Sequence, residues 1–340
     1  MALFLAPELG ITNFDFGDHP WTCTDHRWRP RKGHRLWKGG TAMRTIVLSL
    51  LILRAGPVWA QQPPSAASPS EATVQGLAKA NALKGRDAWP KAIEDNSFFI
   101  EEAYNQEPGV AQWIFVGLYT RPNNLRAFGF TNEWPVRGQT HQFSYTVRWT
   151  GGGAGEPAGI GDLVLNYRYE LFMEKKDGVA IAPRLSVILP TGDWRKGLGY
   201  GTTGWQVSLP LSKRISRDFA MHFNAGTTLY PSAKSSDANG MTVRQNLWGT
   251  NEGASLIWLA SPRFNLMLEA VAYQQDEFSA SGTKTRSYQA MLSPGFRYAF
   301  NLPKGQLVVG AAAPIGLTAD TPRSGLFLYL SWEAPVWKVK

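Results

Sequence analysis

The chain has 340 residues, of which 12% are aromatic and 18% charged, with 34 glycines and a mean hydropathy of −0.23. Disordered chains contain few aromatic residues and helical membrane proteins contain long apolar runs, so this composition excludes both classes. The formal net charge of +9 falls to +5 beyond residue 60, where 27 basic residues face 22 acidic ones, and so thin an excess does not indicate nucleic-acid binding.

A short apolar run near residue 50 has the features of a signal peptide. Met43 provides a translation start and Arg44 a positive charge. Residues 46–53 form the apolar core, and residues 58–60 form a small-residue cleavage pattern. A short buried helix is the alternative, but the Pro/Ser-rich stretch that follows offers it nothing to pack against. We therefore predict a mis-assigned N-terminal extension over 1–42, which holds the single cysteine Cys23, and a cleaved signal peptide over 43–60.

The character of the chain changes near residue 111. Residues 61–90 are rich in Pro, Ser and Ala, which predicts a flexible periplasmic linker or N-terminal segment over 61–110. From there to the end apolar and polar residues alternate, and a period of two places the apolar ones on one side of a sheet. One segment shows the pattern clearly, with Phe143, Tyr145, Val147 and Trp149 alternating with Gln142, Ser144, Thr146 and Arg148. Residues 111–340 are thus predicted to be a barrel domain.

The alternation predicts about twelve strands. They lie near residues 111–120, 125–134, 138–149, 160–173, 179–190, 203–215, 218–230, 243–260, 263–276, 285–300, 306–317 and 323–334. Most reach the ~9–11 residues that a tilted membrane strand requires. Long Gly/Ser-rich joints mostly follow odd strands and tight joints follow even ones, as in barrels with short periplasmic turns and long outer loops.

A sheet with an apolar outer face must close on itself in lipid, because an unpaired edge leaves backbone groups without hydrogen bonds. The predicted fold is therefore all-β, a closed antiparallel up-and-down transmembrane β-barrel of about twelve strands with a flexible N-terminal segment. It predicts a location in the outer membrane of a Gram-negative bacterium, with export by the cleaved signal peptide. Outward aromatic residues such as Trp149, Tyr167, Trp205 and Trp332 are expected to form interfacial girdles.

Several motifs are similar to those of a known family. They are FFIEEAYNQEPG at 98–109, EWP at 133–135, GIGD at 159–162, NYRY at 166–169, LPTGD at 189–193, GLG at 197–199 and LPLSK at 209–213. From residue 98 onward the chain resembles the outer-membrane barrels grouped with the meta-pathway of phenol degradation. The resemblance implies an outer-membrane transporter without catalytic residues. One departure is that the chain continues to Lys340 after Trp337, whereas many such barrels end on an aromatic residue that the barrel-assembly machinery reads.

Charged residues on the inward face are the candidate site. The alternation places seven of them in the lumen: Arg148, Asp162, Arg168, Glu170, Arg184, Glu269 and Arg297. Two interpretations remain open. The opposite charges can form an ion-paired network that rigidifies the wall, which is the commoner case, or they can line a path and select solutes by charge.

Other chemistry finds little support. The GxGxxG string at 199–204 is followed by a predicted strand rather than a helix, so a nucleotide-binding turn is not expected. His222, Asn224 and Ser208 could in principle form a membrane lipase, but all three are predicted to point inward, away from lipid. We therefore predict no enzyme, cofactor or metal site.

The leading hypothesis is a channel or transporter for small solutes, with apolar or aromatic solutes suggested by the resemblance alone. Its expected partners are outer-membrane lipid, a small-molecule solute and the barrel-assembly machinery, with no nucleic acid. The alternatives are an outer-membrane lipid-modifying enzyme and a structural or adhesive barrel. Whether residues 98–109 fill the lumen, add a strand or lie in the periplasm is left open by the sequence.

Overall fold

A computed structural model describes residues 21–24, 27–30, 93, 95–136, 138–151, 158–279 and 281–337. The predicted signal peptide at 43–60, and most of the predicted extension at 1–42, lie outside these residues. Within the extension, Trp21–Thr24 and Arg27–Pro30 pair as an antiparallel hairpin in a compact unit of its own, Phe14–Ala82. All other described residues belong to a second compact unit.

Twelve main strands build the second unit. They are β1 (Val110–Arg121), β2 (Arg126–Pro135), β3 (His141–Gly151), β4 (Leu163–Tyr169), β5 (Arg184–Leu189), β6 (Gly204–Arg214), β7 (Phe219–Ser236), β8 (Thr242–Ser261), β9 (Phe264–Phe278), β10 (Lys284–Leu302), β11 (Gly305–Ala312) and β12 (Ser324–Pro335). Each pairs antiparallel with its neighbours in chain order, and β12 pairs with β1, as at Trp332 and Trp113. The sheet is therefore a closed up-and-down barrel, and the predicted fold and strand number are confirmed.

Three predicted strands are interrupted, among them the one predicted at 306–317, which consists of β11 and Ile315–Gly316. The one predicted at 160–173 consists of Gly159–Ile160 and β4. Between the two pieces, the carboxylate of Asp162 accepts a hydrogen bond from the amide of Gly192 in the 190–203 connection. The one predicted at 179–190 consists of Ala180–Ile181 and β5, with Pro183 between them. Proline has no N–H to offer to a ladder, so pairing stops there and resumes at Arg184.

The two ends of the barrel differ. At one end, here called the short-turn end, β6 joins β7, β8 joins β9 and β10 joins β11 through 215–218, 262–263 and 303–304. The exception at this end is 170–183, which contains a four-residue helix, Glu174–Asp177. At the opposite, long-loop end, 190–203 contains the 3-10 helix Trp194–Lys196, whereas most of the predicted loop 231–240 is strand.

The two faces of the wall have opposite chemistry. Along β6, Trp205, Val207 and Leu209 are exposed on the outside, while Gln206 and Ser208 are buried inside. Outward apolar side chains of this kind recur around the barrel, including Phe115, Phe128, Leu165, Leu256, Leu268, Phe296 and Leu328. An apolar outer belt suits hydrocarbon and a polar inner face does not, so the barrel is of the outer-membrane type.

Candidate functional site

The lumen contains a part of the chain itself. Residues 95–107, which we call the inner segment, lie against the inner faces of strands on all sides of the barrel. The Ser97 and Ser255 hydroxyls are 2.8 Å apart, the amide of Glu101 donates to Asn224, and the amide of Gln106 donates to Gln142. Of the three arrangements left open for residues 98–109, the structure has the one in which they occupy the lumen.

Glu101 is the electrostatic centre of the inner segment. Its two carboxylate oxygens are held by Arg168 of β4 at 2.9 Å and by Arg184 of β5 at 2.8 Å. Arg168 also donates to the side chain of Asn105 at 2.7 Å and to the carbonyls of Glu102 and Tyr104. All three guanidinium nitrogens of Arg168 therefore donate hydrogen bonds to the inner segment.

A second anchor holds the start of the inner segment. The Asp95 carboxylate accepts hydrogen bonds from Tyr329 at 2.7 Å, Ser331 at 2.6 Å and Gln112 at 2.7 Å. The guanidinium of Arg297 donates to the backbone carbonyls of residues 93, 95 and 96. Arg297 thus caps backbone that would otherwise be buried without partners.

Between these anchors the contact is apolar. The Phe98 ring lies 5.4 Å from those of Phe327 and Tyr329, and the Phe99 ring lies 4.7 Å from Phe327. A Cβ at Gly310 of β11 would lie 2.5 Å from the Phe98 ring, so glycine is required for this close approach. The carboxylate of Glu269 on β9 accepts hydrogen bonds from the amides of residues 99 and 100 at 2.8 and 3.1 Å. The backbone here is therefore hydrogen-bonded by a wall side chain instead of by a neighbouring strand.

The remaining predicted site residues lie toward the two ends. Asp162 is buried beneath the 190–203 loop and accepts hydrogen bonds from the amides of Gly192 at 2.9 Å and Tyr200 at 3.4 Å. Arg148 is buried nearby on β3 and interacts electrostatically with Asp162. Glu170, just beyond β4 at the short-turn end, lines a cavity of about 220 Å³, and burial raises its pKa to about 7.

All seven predicted residues are buried on the inner face, but the structure groups them in an unexpected way. Arg168 and Arg184 pair with Glu101 of the inner segment rather than with a carboxylate of the wall. The predicted site omitted Glu101 and Asp95, which lie in a stretch expected to be periplasmic. The signal that could have indicated them is the surplus of inward arginines over carboxylates on β3, β4 and β5.

The residues considered for a lipase also lie inside. His222, Asn224 and Ser208 are all buried on the polar face, as predicted. The Nδ1 atom of His222 is 2.6 Å from the hydroxyl of Ser212, which also accepts from the amide of Ala103, and Asn224 bonds both ways with the backbone of Glu101. Ser212 and Asn224 therefore hold the inner segment, and none of His222, Asn224 and Ser208 is exposed to lipid.

The fold and the lumen define a class: this is a twelve-stranded outer-membrane β-barrel whose lumen is occupied by its own N-terminal segment. Among the described residues, no helix has the length and apolar character needed to cross a membrane. No family model matches the sequence, and no curated protein sequence matches it.

Solved structures supply the comparison. The chain is similar to an outer membrane channel from Pseudomonas putida F1, at 10% identity and a TM-score of 0.50, over 71% of this chain and 99% of that one. It is also similar to the NanC porin, at 9% identity and a TM-score of 0.44, over 67% of this chain and 100% of that one. The KdgM porin, solved with disordered oligogalacturonate, matches at 8% identity and a TM-score of 0.39, over 66% and 98%. At 10% identity and a TM-score of 0.50, the channel from Pseudomonas putida F1 shows the fold.

Proposed function

We propose that this barrel is a channel for small solutes and that the inner segment closes it in the conformation described here. The observation that carries the proposal is the clamp on Glu101, because two arginines of the polar wall, Arg168 and Arg184, form their ion pairs with the inner segment rather than with a carboxylate of the wall. A barrel of twelve strands is wide enough for a polar or plugged lumen, in contrast to an eight-stranded one filled by its own side chains.

The proposal is tested by conductance in planar lipid bilayers. The full chain is expected to show discrete open steps at low frequency, and Arg168→Ala should raise their frequency and change ion selectivity, since it removes both a clamp and a lumen charge. Lys213→Ala, a charge change at an exposed position of the same end of the barrel, is the control. A barrel that stays sealed in every variant would refute the channel.

The solute class forms a second part of the proposal. Two sides of the lumen differ in part. Arg148, Arg168 and Arg184 lie on β3 to β5, whereas the inner face of β1 and β9 to β12 carries, beside Glu269 and Arg297, an apolar cluster that includes Ile114, Val116, Leu118, Val271 and Phe327. Phe98 and Phe99 cover this apolar side. When the inner segment leaves, an apolar lane faces the lumen, and this favours solutes with an apolar or aromatic part.

Permeability to two anions of equal charge distinguishes a channel that favours apolar or aromatic solutes from a channel that selects by charge alone. Benzoate should permeate more readily than gluconate, by more than their free diffusion explains, and Val116→Thr should reduce the difference. If the permeabilities of benzoate and gluconate differ only as their free diffusion coefficients do, the apolar lane is refuted. The proposal that the barrel is a channel would still stand.

The same proposal includes the route of the protein to the membrane. It has three parts: export with cleavage of residues 43–60, a mis-assigned translation start over 1–42, and insertion by the barrel-assembly machinery. N-terminal sequencing of protein from purified outer membranes tests the first two, with residue 61 as the expected first residue.

A further inference from the structure

A cavity of about 220 Å³ lies between the inner segment and the short-turn end of the barrel. Its lining includes Glu102 and Tyr104 of the inner segment, Glu170 and Glu174 of the 170–183 connection, and His222 and Ile257 of the wall. We propose that this cavity is a binding site for a small organic amine with an apolar body. The inference rests on the proposed function in so far as the cavity lies on the path of a solute, but binding can be measured by itself.

The lining carries more acidic than basic side chains. Glu102, Glu107, Glu170, Glu174 and Glu333 contribute to it, against Lys175, Arg214 and Arg297. The charge of Arg297 is already directed at three backbone carbonyls of the inner segment. A cation is therefore favoured over an anion as the occupant.

Most of these carboxylates have partners within the protein. Glu174 accepts from the Tyr104 hydroxyl at 2.6 Å and from the amide of Arg214 at 2.6 Å, so both of its oxygens are used. Glu170 differs. Its carboxylate interacts electrostatically with Arg168 and accepts a hydrogen bond from the amide of Asn105, but its Oε2 atom is buried without a hydrogen-bond partner among the described residues. Glu170 is 4% exposed. A buried oxygen that lines a cavity without a donor is a site for a donor from a ligand.

The chemistry of that donor follows from the surroundings. An ammonium group provides N–H donors and a positive charge, and a hydrogen bond between ionised groups is about twice as strong as a neutral one. The raised pKa of Glu170, caused by burial, agrees with a carboxyl group that gains from a nearby cation.

The rest of the cavity is apolar. Ile93, Ala220, Ile257 and Leu259 are among the residues that line it, and the Tyr104 and His222 rings meet edge to face with centroids 6.3 Å apart. Such a wall suits a hydrocarbon or aromatic body attached to the amine, and a bare inorganic cation would leave it uncovered. The volume suits a ligand built on one small ring rather than a polymer.

Benzylamine and benzyl alcohol test the inference, because they share size and ring and differ in the charged group. Titration calorimetry on the full chain in detergent at pH 8 should show benzylamine binding at least about tenfold more tightly. Glu170→Gln keeps the shape of the side chain and should bring the two affinities to within about twofold of each other. Glu277→Gln, which removes a carboxyl group bonded to Ser287 near the long-loop end, is the matched control and should change neither affinity.

A second variant protects the test against misfolding. Leu259→Lys places a cation at the cavity without altering Glu170 and should weaken benzylamine binding while sparing benzyl alcohol, and heat-modifiability gels show whether each variant is a folded barrel. Equal affinity of the two probes for the unaltered chain, or a Glu170→Gln variant that still prefers benzylamine, would overturn the amine site. If the unaltered chain conducts but shows no preference for benzylamine, the amine site is refuted and the channel stands. A sealed barrel that prefers benzylamine refutes the channel alone.

Discussion

Glu101→Gln is expected to shift the inner segment out of the lumen. The carboxylate is held at 2.9 Å by Arg168 and at 2.8 Å by Arg184, and all three side chains are buried. Glutamine keeps one acceptor oxygen but turns an NH₂ group toward the second guanidinium, so a donor faces a donor and two buried cations lose their counter-charge. Breaking a buried ion pair in this way costs about 3–5 kcal/mol.

That cost becomes a change in the fraction of time for which the channel is open. Taking the lower limit, about 3 kcal/mol shifts the equilibrium between the occupied and released lumen by about a hundredfold. A channel that is open for about 0.1% of the time would then be open for about 10%. Only the segment-bound state is penalised, because released arginines regain water.

Single-channel recording in planar bilayers measures the open fraction directly. A second readout is the labelling rate of Ser97→Cys by a thiol reagent, in a chain where Cys23 is replaced by Ala, since Ser97 is buried in the bound state. Glu107→Gln is the control, because Glu107 belongs to the same segment but is exposed. An open fraction and a labelling rate that stay within about twofold of the unaltered chain would refute the clamp.

Three further substitutions probe the rest of the structure. Gly310→Ala places a methyl group 2.5 Å from the Phe98 ring and should raise the labelling rate of the buried Ser97→Cys thiol several-fold. Leu268→Arg, on the outer face at mid-strand, should lower the free energy of unfolding in lipid vesicles by about 2–4 kcal/mol, measured by denaturant titration. Asp162→Asn weakens the hydrogen bond that the side chain accepts from the amide of Gly192, which should destabilise the ordered conformation of 190–203 by about 1–2 kcal/mol. Proteolytic cleavage within 190–203 should therefore become faster.

Each substitution has a matched control. Gly226→Ala is the control for Gly310→Ala, because in both the new methyl group lies 2.8 Å from a wall carbonyl, but at Gly226 the nearest atoms are not those of the inner segment. An equal rise in the labelling rate of Ser97→Cys in both variants would contradict the importance of the Phe98 contact. Met241→Arg changes an exposed loop residue, and a loss as large as that of Leu268→Arg would argue against a lipid-facing belt. Asp237→Asn alters a turn bonded within the 237–241 loop, and it should leave cleavage at 190–203 unchanged.

The period-two pattern allowed the wall to be predicted almost strand by strand. A side chain in a strand points to the side opposite its neighbour, so the face of each residue follows from local sequence alone. This is why Arg148, Arg168 and Arg184 were placed inside, as the structure has them. The interruption at Asp162 was missed because a loop amide thirty residues away from the carboxylate leaves no trace in the local pattern. The one at Pro183 was also missed, although a proline, which has no N–H for the ladder, is a local signal.

The partners of the inward charges were decided only by the tertiary structure. Glu101 and Arg168 are separated by 67 positions along the chain, and no periodicity links the irregular stretch before β1 to the fourth strand. Sequence by itself determined that a closed, lipid-facing wall would form and which side chains would enter its lumen, since both follow from alternation and from the need to pair every backbone group in lipid. Only the folded chain determined what fills that lumen, because the path of an irregular segment is set by the sum of contacts from strands on all sides and by no rule within the segment itself.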